Sequence, residues 1–186
     1  MHTEAVKKML LIRTDRLGDV ILSTPVAMAL KQNMPESQIL FLVRHYTRAI
    51  AEACPAVDKT LVLEDFQHNG RLAIRMLTGY LKRANIDIAI HLYPRPQLAL
   101  ATFLARVPIR IGSGYRWFSF LFNKRHYEHR KNAAHHEADF NLHLLQHLGM
   151  TPAPARFAVH LGVDERKKVE TLLKNAGIAP DRPFVI

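Results

Sequence analysis

The chain has 186 residues, 48% of them hydrophobic, enough for one large domain or for one domain and part of another. Its net charge of +10 and pI near 10.0 favour anionic partners: nucleic acid, acidic lipid headgroups or phosphorylated sugars. No apolar run approaches the roughly 20 residues that cross a bilayer, Met1–Lys8 lacks the apolar region of a signal peptide, and the single Cys54 excludes an internal disulfide, so a cytoplasmic protein is expected.

The elements alternate along the chain. Met9–Thr14 is a strand, followed by a helix over Gly18–Asn33 that Pro25 kinks or restarts after Ser23-Thr24. Gln38–Val43 is a second strand, apolar enough to be buried on both faces, and Tyr46–Ala53 a short helix stopped by Pro55. Asp58–Leu63 is a third strand. Leu72, Ala73, Met76, Leu77, Tyr80 and Leu81 recur at helical spacing, and a long amphipathic helix is expected up to about Arg83. Asp87–Leu92 is the fourth strand, Gln97–Ala105 a helix and Ile109–Gly112 a short fifth strand. This order with brief connections predicts a Rossmann-like α/β fold with a doubly wound parallel sheet.

Beyond it, Trp117–Phe122 is an aromatic patch and Lys124–Arg130 a basic segment. Glu137–Leu148 reads as a helix with Phe140, Leu144, Leu145 and Leu148 on one face and Gly149 as its stop. Thr151-Pro152-Ala153-Pro154 reads as a linker, dividing a domain over 1–150 from a segment over 151–186. In that segment Asp164 is expected to cap a helix carrying Val169, Leu172 and Leu173, with Gly177 as its stop. Pro183–Ile186 would begin another buried strand, which suggests a truncated polypeptide.

In an open α/β sheet, ligands bind outside the carboxyl ends of the strands, so the turn after the first strand is the first place to look for chemistry. Arg13-Thr14-Asp15-Arg16-Leu17-Gly18-Asp19 holds one glycine, where a dinucleotide site needs G-x-G-x-x-G, and Arg44 stands where a ribose-binding acid is expected. No G-x-x-x-x-G-K-[ST] loop occurs either. What remains is a pair of arginines, Arg13 and Arg16, beside an acid at a helix start. Asp19 is explained structurally by the helix dipole, at about 0.3–1 kcal/mol. It is explained functionally as a carboxylate base flanked by guanidinium groups that orient an anionic acceptor, with Asp15 a competitor for either part.

Other candidates follow the later strands: Arg44, His45 and Arg48 after the second, His91 and Arg95 after the fourth, Arg116 after the fifth. Singly each is ordinary surface; together they describe a basic rim suited to phosphate or carboxylate groups. Asp139, His143 and His147 fall four apart and could share a helix face, with His135 and His136 upstream. No further acid or cysteine completes a tetrahedral set, so they read as a solvated helix side and no metal is expected. His126 and His129 are weaker still, and nothing around Cys54 marks it as reactive. The basic residues are scattered, without the aromatic–basic interleaving of a base-stacking sheet.

Taken in order, these residues suggest a family. Leu10–Pro25, with its strand, basic residue, polar loop, Gly18-Asp19-Val20 and following proline, resembles the opening of bacterial lipopolysaccharide heptosyltransferases, glycosyltransferase family 9. Pro35–Val43 is similar to the family's Pro-x-x-x-Ile-x-x-Leu segment, Arg110-Ile111-Gly112 to its Arg-Ile-Gly, and His136–Leu142 to its His-x-x-x-x-Asn-Leu helix.

The resemblance implies a GT-B enzyme of two domains, the N-terminal one binding a lipopolysaccharide inner-core acceptor of the Kdo-lipid A type. The other would bind a nucleotide-sugar donor, ADP-heptose or a relative, and no cofactor is implied. Transfer would be inverting, with Asp19 as base and Arg13 at the family's basic position. Arg13, Arg16, Arg44, Arg48, His91, Arg95 and Arg116 are then the candidate acceptor-binding residues. The family's donor site needs a phosphate loop beyond Ile186, so this polypeptide is expected to be the acceptor half, inactive alone, cytoplasmic and in peripheral contact with the inner membrane. Two readings from other classes stay open: a non-catalytic module that captures anionic glycan or lipid, and a nucleic-acid-binding α/β domain.

Overall fold

A computed structural model describes residues 8–128, 136–151, 154–160 and 162–178. His129, His135, Pro152, Ala153 and the expected strand at 183–186 lie outside the described residues.

Six strands form one all-parallel sheet in the order β3-β2-β1-β6-β7-β8: β1 (Lys8–Ile12), β2 (Gln38–Val43), β3 (Lys59–Val62), β6 (Ile88–His91), β7 (Ile109–Ser113) and β8 (Lys124–His126). The intervening β4 (Gln67–His68) and β5 (Arg71–Leu72) make a separate small hairpin. The central strands β1, β2 and β6 are buried on both sides because they carry nearly continuous apolar runs, Met9–Ile12, Ile39–Val43 and Ile88–Ile90. Met9, Leu11, Ile39, Phe41, Ile88 and Ile90 face α1 (Leu17–Ile21), α2 (Thr24–Asn33), α3 (Arg48–Glu52) and α6 (Glu137–His143). Leu10, Ile12, Leu40, Leu42 and Ala89 face α4 (Ile74–Ala84) and α5 (Pro96–Leu104).

The predicted helix over Gly18–Asn33 is two helices. The chain turns at Leu22-Ser23 and restarts with Pro25 in the first turn of α2, where its missing N–H costs nothing. In α4, Leu77 and Leu81 are buried and Asn85 closes the helix in the left-handed region (φ 51), but Met76 is exposed. The helix predicted over Glu137–Leu148 is α-helical only to His143 and continues as a 3₁₀ turn over Leu144–Leu148. That change of pitch removes the shared α-helical face on which Asp139, His143 and His147 would have lain. Among the described residues, no three His, Cys, Asp or Glu side chains gather as metal ligands do.

After Gly149 the chain runs back along α3, where the His160 N–H donates to the Ala53 carbonyl at 2.7 Å. The last helix, α7 (Val163–Asn175), has Gly162 rather than Asp164 at its N-cap position. Asp164 sits in the first turn, and Val169 and Leu172 are exposed. Among the described residues, no helix is long and apolar enough to cross a membrane.

The order of strands reverses between β1 and β6. Chains leaving these two strands diverge and leave a crevice beyond their carboxyl ends, where doubly wound sheets hold ligands. Arg13 follows β1 at this point, and Leu92-Tyr93 follows β6.

Candidate functional site

Arg13 is the hub of the crevice. Its side chain is 3% exposed, because its backbone continues the sheet (Arg13 N–H to Leu42 O, 3.0 Å) and the guanidinium turns inward beneath the loop. Buried cations need partners on every donor. Nε meets Asp15 Oδ1 at 2.7 Å, one terminal nitrogen meets Asp19 Oδ1 at 2.9 Å, and the other meets Glu137 Oε1 at 3.1 Å. The last nitrogen also approaches the Leu92 carbonyl and Asn141 Oδ1, each at 3.5 Å, and Tyr93 lies against the guanidinium at 5.9 Å. One cation thus gathers three carboxylates from two regions of the chain.

The carboxylates differ in access. Asp19 is 29% exposed and Asp15 only 15%. Burial pushes the Asp15 carboxyl above its usual value and outweighs the opposing pull of Arg13, while the Tyr46 hydroxyl donates to the Asp15 carbonyl. Asp19 therefore presents the more accessible oxygen at the crevice. Beside it Gly18 is exposed, and a Cβ built there would meet no atom within 4 Å. Packing within the described chain does not require glycine at that position; the bare backbone leaves room next to the carboxylate.

A cavity of about 460 Å³ opens at the carboxyl ends of β6, β7 and β8, with Tyr93, Tyr115, Arg116, Ser113 and Glu128 among its walls. Leu92 and Tyr93 belong both to this wall and to the surroundings of Arg13. Glu128 is held by His126 Nε2 at 2.9 Å and by His143 Nδ1 at 2.8 Å. Burial raises the Glu128 carboxyl, but the hydrogen bonds from the two histidines prevail and leave it below the usual carboxylate value. Aromatic faces, a carboxylate and an exposed guanidinium are the groups that bind a sugar ring carrying hydroxyls and an anionic substituent.

The other expected rim residues are distributed differently. Arg16 is exposed at the N-cap of α1, and Arg116 is exposed on the cavity wall. Arg44 pairs with Glu64 at 3.4 Å and Arg48 with Glu52 at 2.6 Å, both at the surface beyond β2. Arg95 borders a separate depression beside Gly70 and Arg71 of the hairpin.

His91 does not stand on a rim at all. It is the last residue of β6, 1% exposed, with Nε2 3.1 Å from Thr102 Oγ1 and its ring on Phe122. Thr102 spends its proton on the Ala99 carbonyl at 2.9 Å, which makes His91 Nε2 the donor and Nδ1 the bare nitrogen. Burial and the charge of Arg110 lower its pKa to about 3, so the ring is neutral.

Tyr93, Tyr115, Glu128, Glu137 and Asn141 were not singled out from the sequence for this site. Asn141 and Glu137 lie in a helix more than a hundred residues from Arg13, and only the motif His136–Leu142 marked that helix. No family model matches the chain. Over 187 aligned residues the chain is 25% identical to a Haemophilus influenzae protein named as a glycosyltransferase, covering 97% of this chain and 53% of that one. It is 30% identical over 105 residues to lipooligosaccharide heptosyltransferase 2 of Haemophilus ducreyi, covering 56% of this chain and 30% of that one. The crystal structure of a glycosyltransferase family 9 protein from Veillonella parvula superposes with a TM-score of 0.78 at 24% identity, over 94% of this chain and 51% of the other.

In sequence the chain is similar to proteins named as a glycosyltransferase and a heptosyltransferase, and in fold to a glycosyltransferase family 9 structure. It spans about half the length of the first curated relative and of this solved structure.

Proposed function

We propose that this chain is the acceptor-binding part of a heptosyltransferase-like, inverting glycosyltransferase of lipopolysaccharide inner-core synthesis. The observation that carries the reading is Asp19: a partly exposed carboxylate at the sheet's switch point, fixed by a buried arginine beside a cavity suited to a sugar. In this role Asp19 takes the proton of an acceptor hydroxyl as that oxygen attacks the anomeric carbon of the donor. The bond from that carbon to the phosphate oxygen breaks, and the nucleoside diphosphate leaves with the electron pair on the face opposite the attack. Arg13 holds the carboxylate in place without itself reaching the acceptor, because its donors are already engaged. Arg116, Tyr93, Tyr115 and Glu128 would seat an acceptor of the Kdo-lipid A type, and Arg16 would meet its anionic groups.

The donor, ADP-heptose or a related nucleotide sugar, is assigned to protein outside this chain. In-line transfer needs both substrates fixed across one cleft, so the chain alone is expected to bind acceptor without turning it over. The protein is placed in the cytoplasm, in peripheral contact with the inner leaflet that presents the acceptor.

The test is Asp19→Ala in the full-length protein, with acceptor binding and transfer measured separately. Binding within a few-fold of wild type and a loss of turnover by about 10²–10⁴ are expected. Near-normal turnover would remove Asp19 as the base, and an equally severe loss in Asp15→Asn with Asp19 intact would move the assignment to Asp15. Acceptor binding by a full-length wild type that transfers nothing would favour a capture module.

A further inference from the structure

From Ile88 to Tyr127 the chain contains no aspartate or glutamate and six cations, Arg95, Arg106, Arg110, Arg116, Lys124 and Arg125. The same stretch carries the most exposed aromatic side chains of the sheet domain: Trp117 is 79% exposed and Phe120 63%. Their exposure follows from the backbone between β7 and β8. Three i→i+3 bonds wind this segment as overlapping 3₁₀-type turns: Ser119 N–H to Arg116 O at 2.8 Å, Leu121 N–H to Phe118 O at 3.1 Å and Phe122 N–H to Ser119 O at 3.0 Å. In such turns residues three apart eclipse. Phe118 and Leu121 therefore go in together, 4% and 6% exposed, and pack with Phe122 and Ala99. Trp117 and Phe120, one position earlier in each case, come out together.

The inner half of this loop is tightly anchored. A Cβ on Gly112 would lie 2.6 Å from the Phe122 ring, and one on Gly114 2.3 Å from the Tyr127 ring, so both aromatics sit directly on glycine backbone. Tyr127 in turn meets Tyr115 edge to face at 5.5 Å. Exposed aromatics on a firm base are flanked by Arg116 on the loop and by Lys124 and Arg125 on the edge strand β8, all exposed. Indole and phenyl groups partition into the headgroup boundary of a bilayer, and adjacent cations hold them to anionic lipid.

We propose that the loop Tyr115–Phe122 is a membrane-docking wedge, inserting Trp117 and Phe120 into an anionic lipid surface while Arg116, Lys124 and Arg125 contact headgroups. This rests on the peripheral-membrane part of the function proposed above and gives that contact an address. It also sets a geometry for the reaction. Tyr115 and Arg116 belong both to the wedge and to the cavity wall, so a docked loop brings the cavity mouth to the bilayer that carries a lipid-linked acceptor.

Trp117 is the sole tryptophan, so its fluorescence reports on the wedge directly. The chain is titrated with vesicles of phosphatidylcholine containing about a third phosphatidylglycerol, with pure phosphatidylcholine vesicles, and with a single-stranded oligonucleotide, each at about 0.15 M salt. The expected result is a blue shift with anionic vesicles, quenching by lipids brominated on the acyl chain, and neither effect with the neutral vesicles. Phe120→Ser is expected to weaken the vesicle partition at least fivefold while leaving circular dichroism and thermal unfolding unchanged. Binding without a blue shift or quenching, or binding unaffected by Phe120→Ser, would overturn the wedge while leaving membrane contact standing. Failure of the wild type to bind anionic vesicles would overturn both. A blue shift produced equally by the oligonucleotide, and abolishing vesicle binding in competition, would replace lipid with nucleic acid. Asp19→Ala is expected to bind vesicles like wild type, which separates this proposal from the catalytic one.

Discussion

At the scale of single residues, Arg13 shows how one buried charge organises a site. Three carboxylates surround one guanidinium, and the cluster is stable only while every donor of that cation is engaged. Arg13→Met keeps the length of the side chain and removes the charge, leaving Asp15, Asp19 and Glu137 to repel one another. A destabilisation of about 3–5 kcal/mol in urea unfolding is expected, as for other broken buried pairs. A loss below about 1 kcal/mol would show that solvent already screens the cluster. Gly18 makes the opposite case. Its Cβ position is open and it lies inside α1, so Gly18→Ala is expected to raise stability by about 0.5–1 kcal/mol. The same methyl group intrudes on the space beside Asp19 and is expected to weaken acceptor binding severalfold. Unchanged affinity in a binding titration would mean that no substrate atom uses that space.

At the scale of elements, α6 completes the site. Asn141 is fully buried; its Nδ2 donates to the Leu22 carbonyl at 3.1 Å and lies 3.4 Å from Ser23 Oγ. It thereby ties α6 to the break between α1 and α2, while Glu137 on the same helix reaches Arg13. The two helices of the Gly18–Asn33 region are thus fixed at their junction by a third. Asn141→Ala leaves the Leu22 carbonyl without this side-chain donor, at a cost of about 1–3 kcal/mol. Hydrogen exchange is expected to quicken first in α1, α2 and α6 and to stay slow in β1, β2 and β6. Uniform acceleration across the sheet would show that α6 unfolds only with the whole domain.

At the scale of the molecule, buried His91 and the partly buried Glu128 and Asp15 shape the response to acid. His91 is neutral in the folded protein, with its pKa lowered from 6.5 to about 3, so between these values the unfolded chain binds more protons. Stability therefore rises with pH in this window and is lost on acidification, approaching about 1.4 kcal/mol per pH unit. Glu128, whose folded pKa lies below 4.5, adds a contribution present above 4.5 and lost as pH falls through its folded value. Asp15 works the other way: its raised carboxyl favours the folded state most below 3.8, and that benefit disappears as pH rises through its folded value. Burial and the neighbouring His126 and Lys124 also lower the pKa of His147. Thermal unfolding from pH 7 to pH 5 therefore follows His91 and His147 together, and the midpoint should fall steadily over this range. A His147→Gln background leaves the His91 part. A flat profile there would show that solvent reaches the ring.

The alternation of strands and helices was legible in the sequence because it depends on local apolar pattern and on punctuation by proline and glycine. Within Gln38–Val43, five consecutive apolar residues from Ile39 suit a doubly covered strand, and the segment is β2. The single glycine of the Arg13–Asp19 turn likewise argued against a dinucleotide loop from spacing alone. Where side chains at strand ends point was not legible, because neighbours distant in sequence decide it. His91 ends a strand, Arg13 follows one, and both read as candidate acceptor-binding residues. Thr102 and Phe122 draw the first into the core, and Glu137, 124 residues away, helps to draw in the second. The outward pair Trp117 and Phe120 was equally hidden, since four neighbouring aromatics look alike until a 3₁₀ pitch sorts them. Composition and periodicity determined the sheet and located its crevice. Long-range packing of charges and rings determined which residues occupy it.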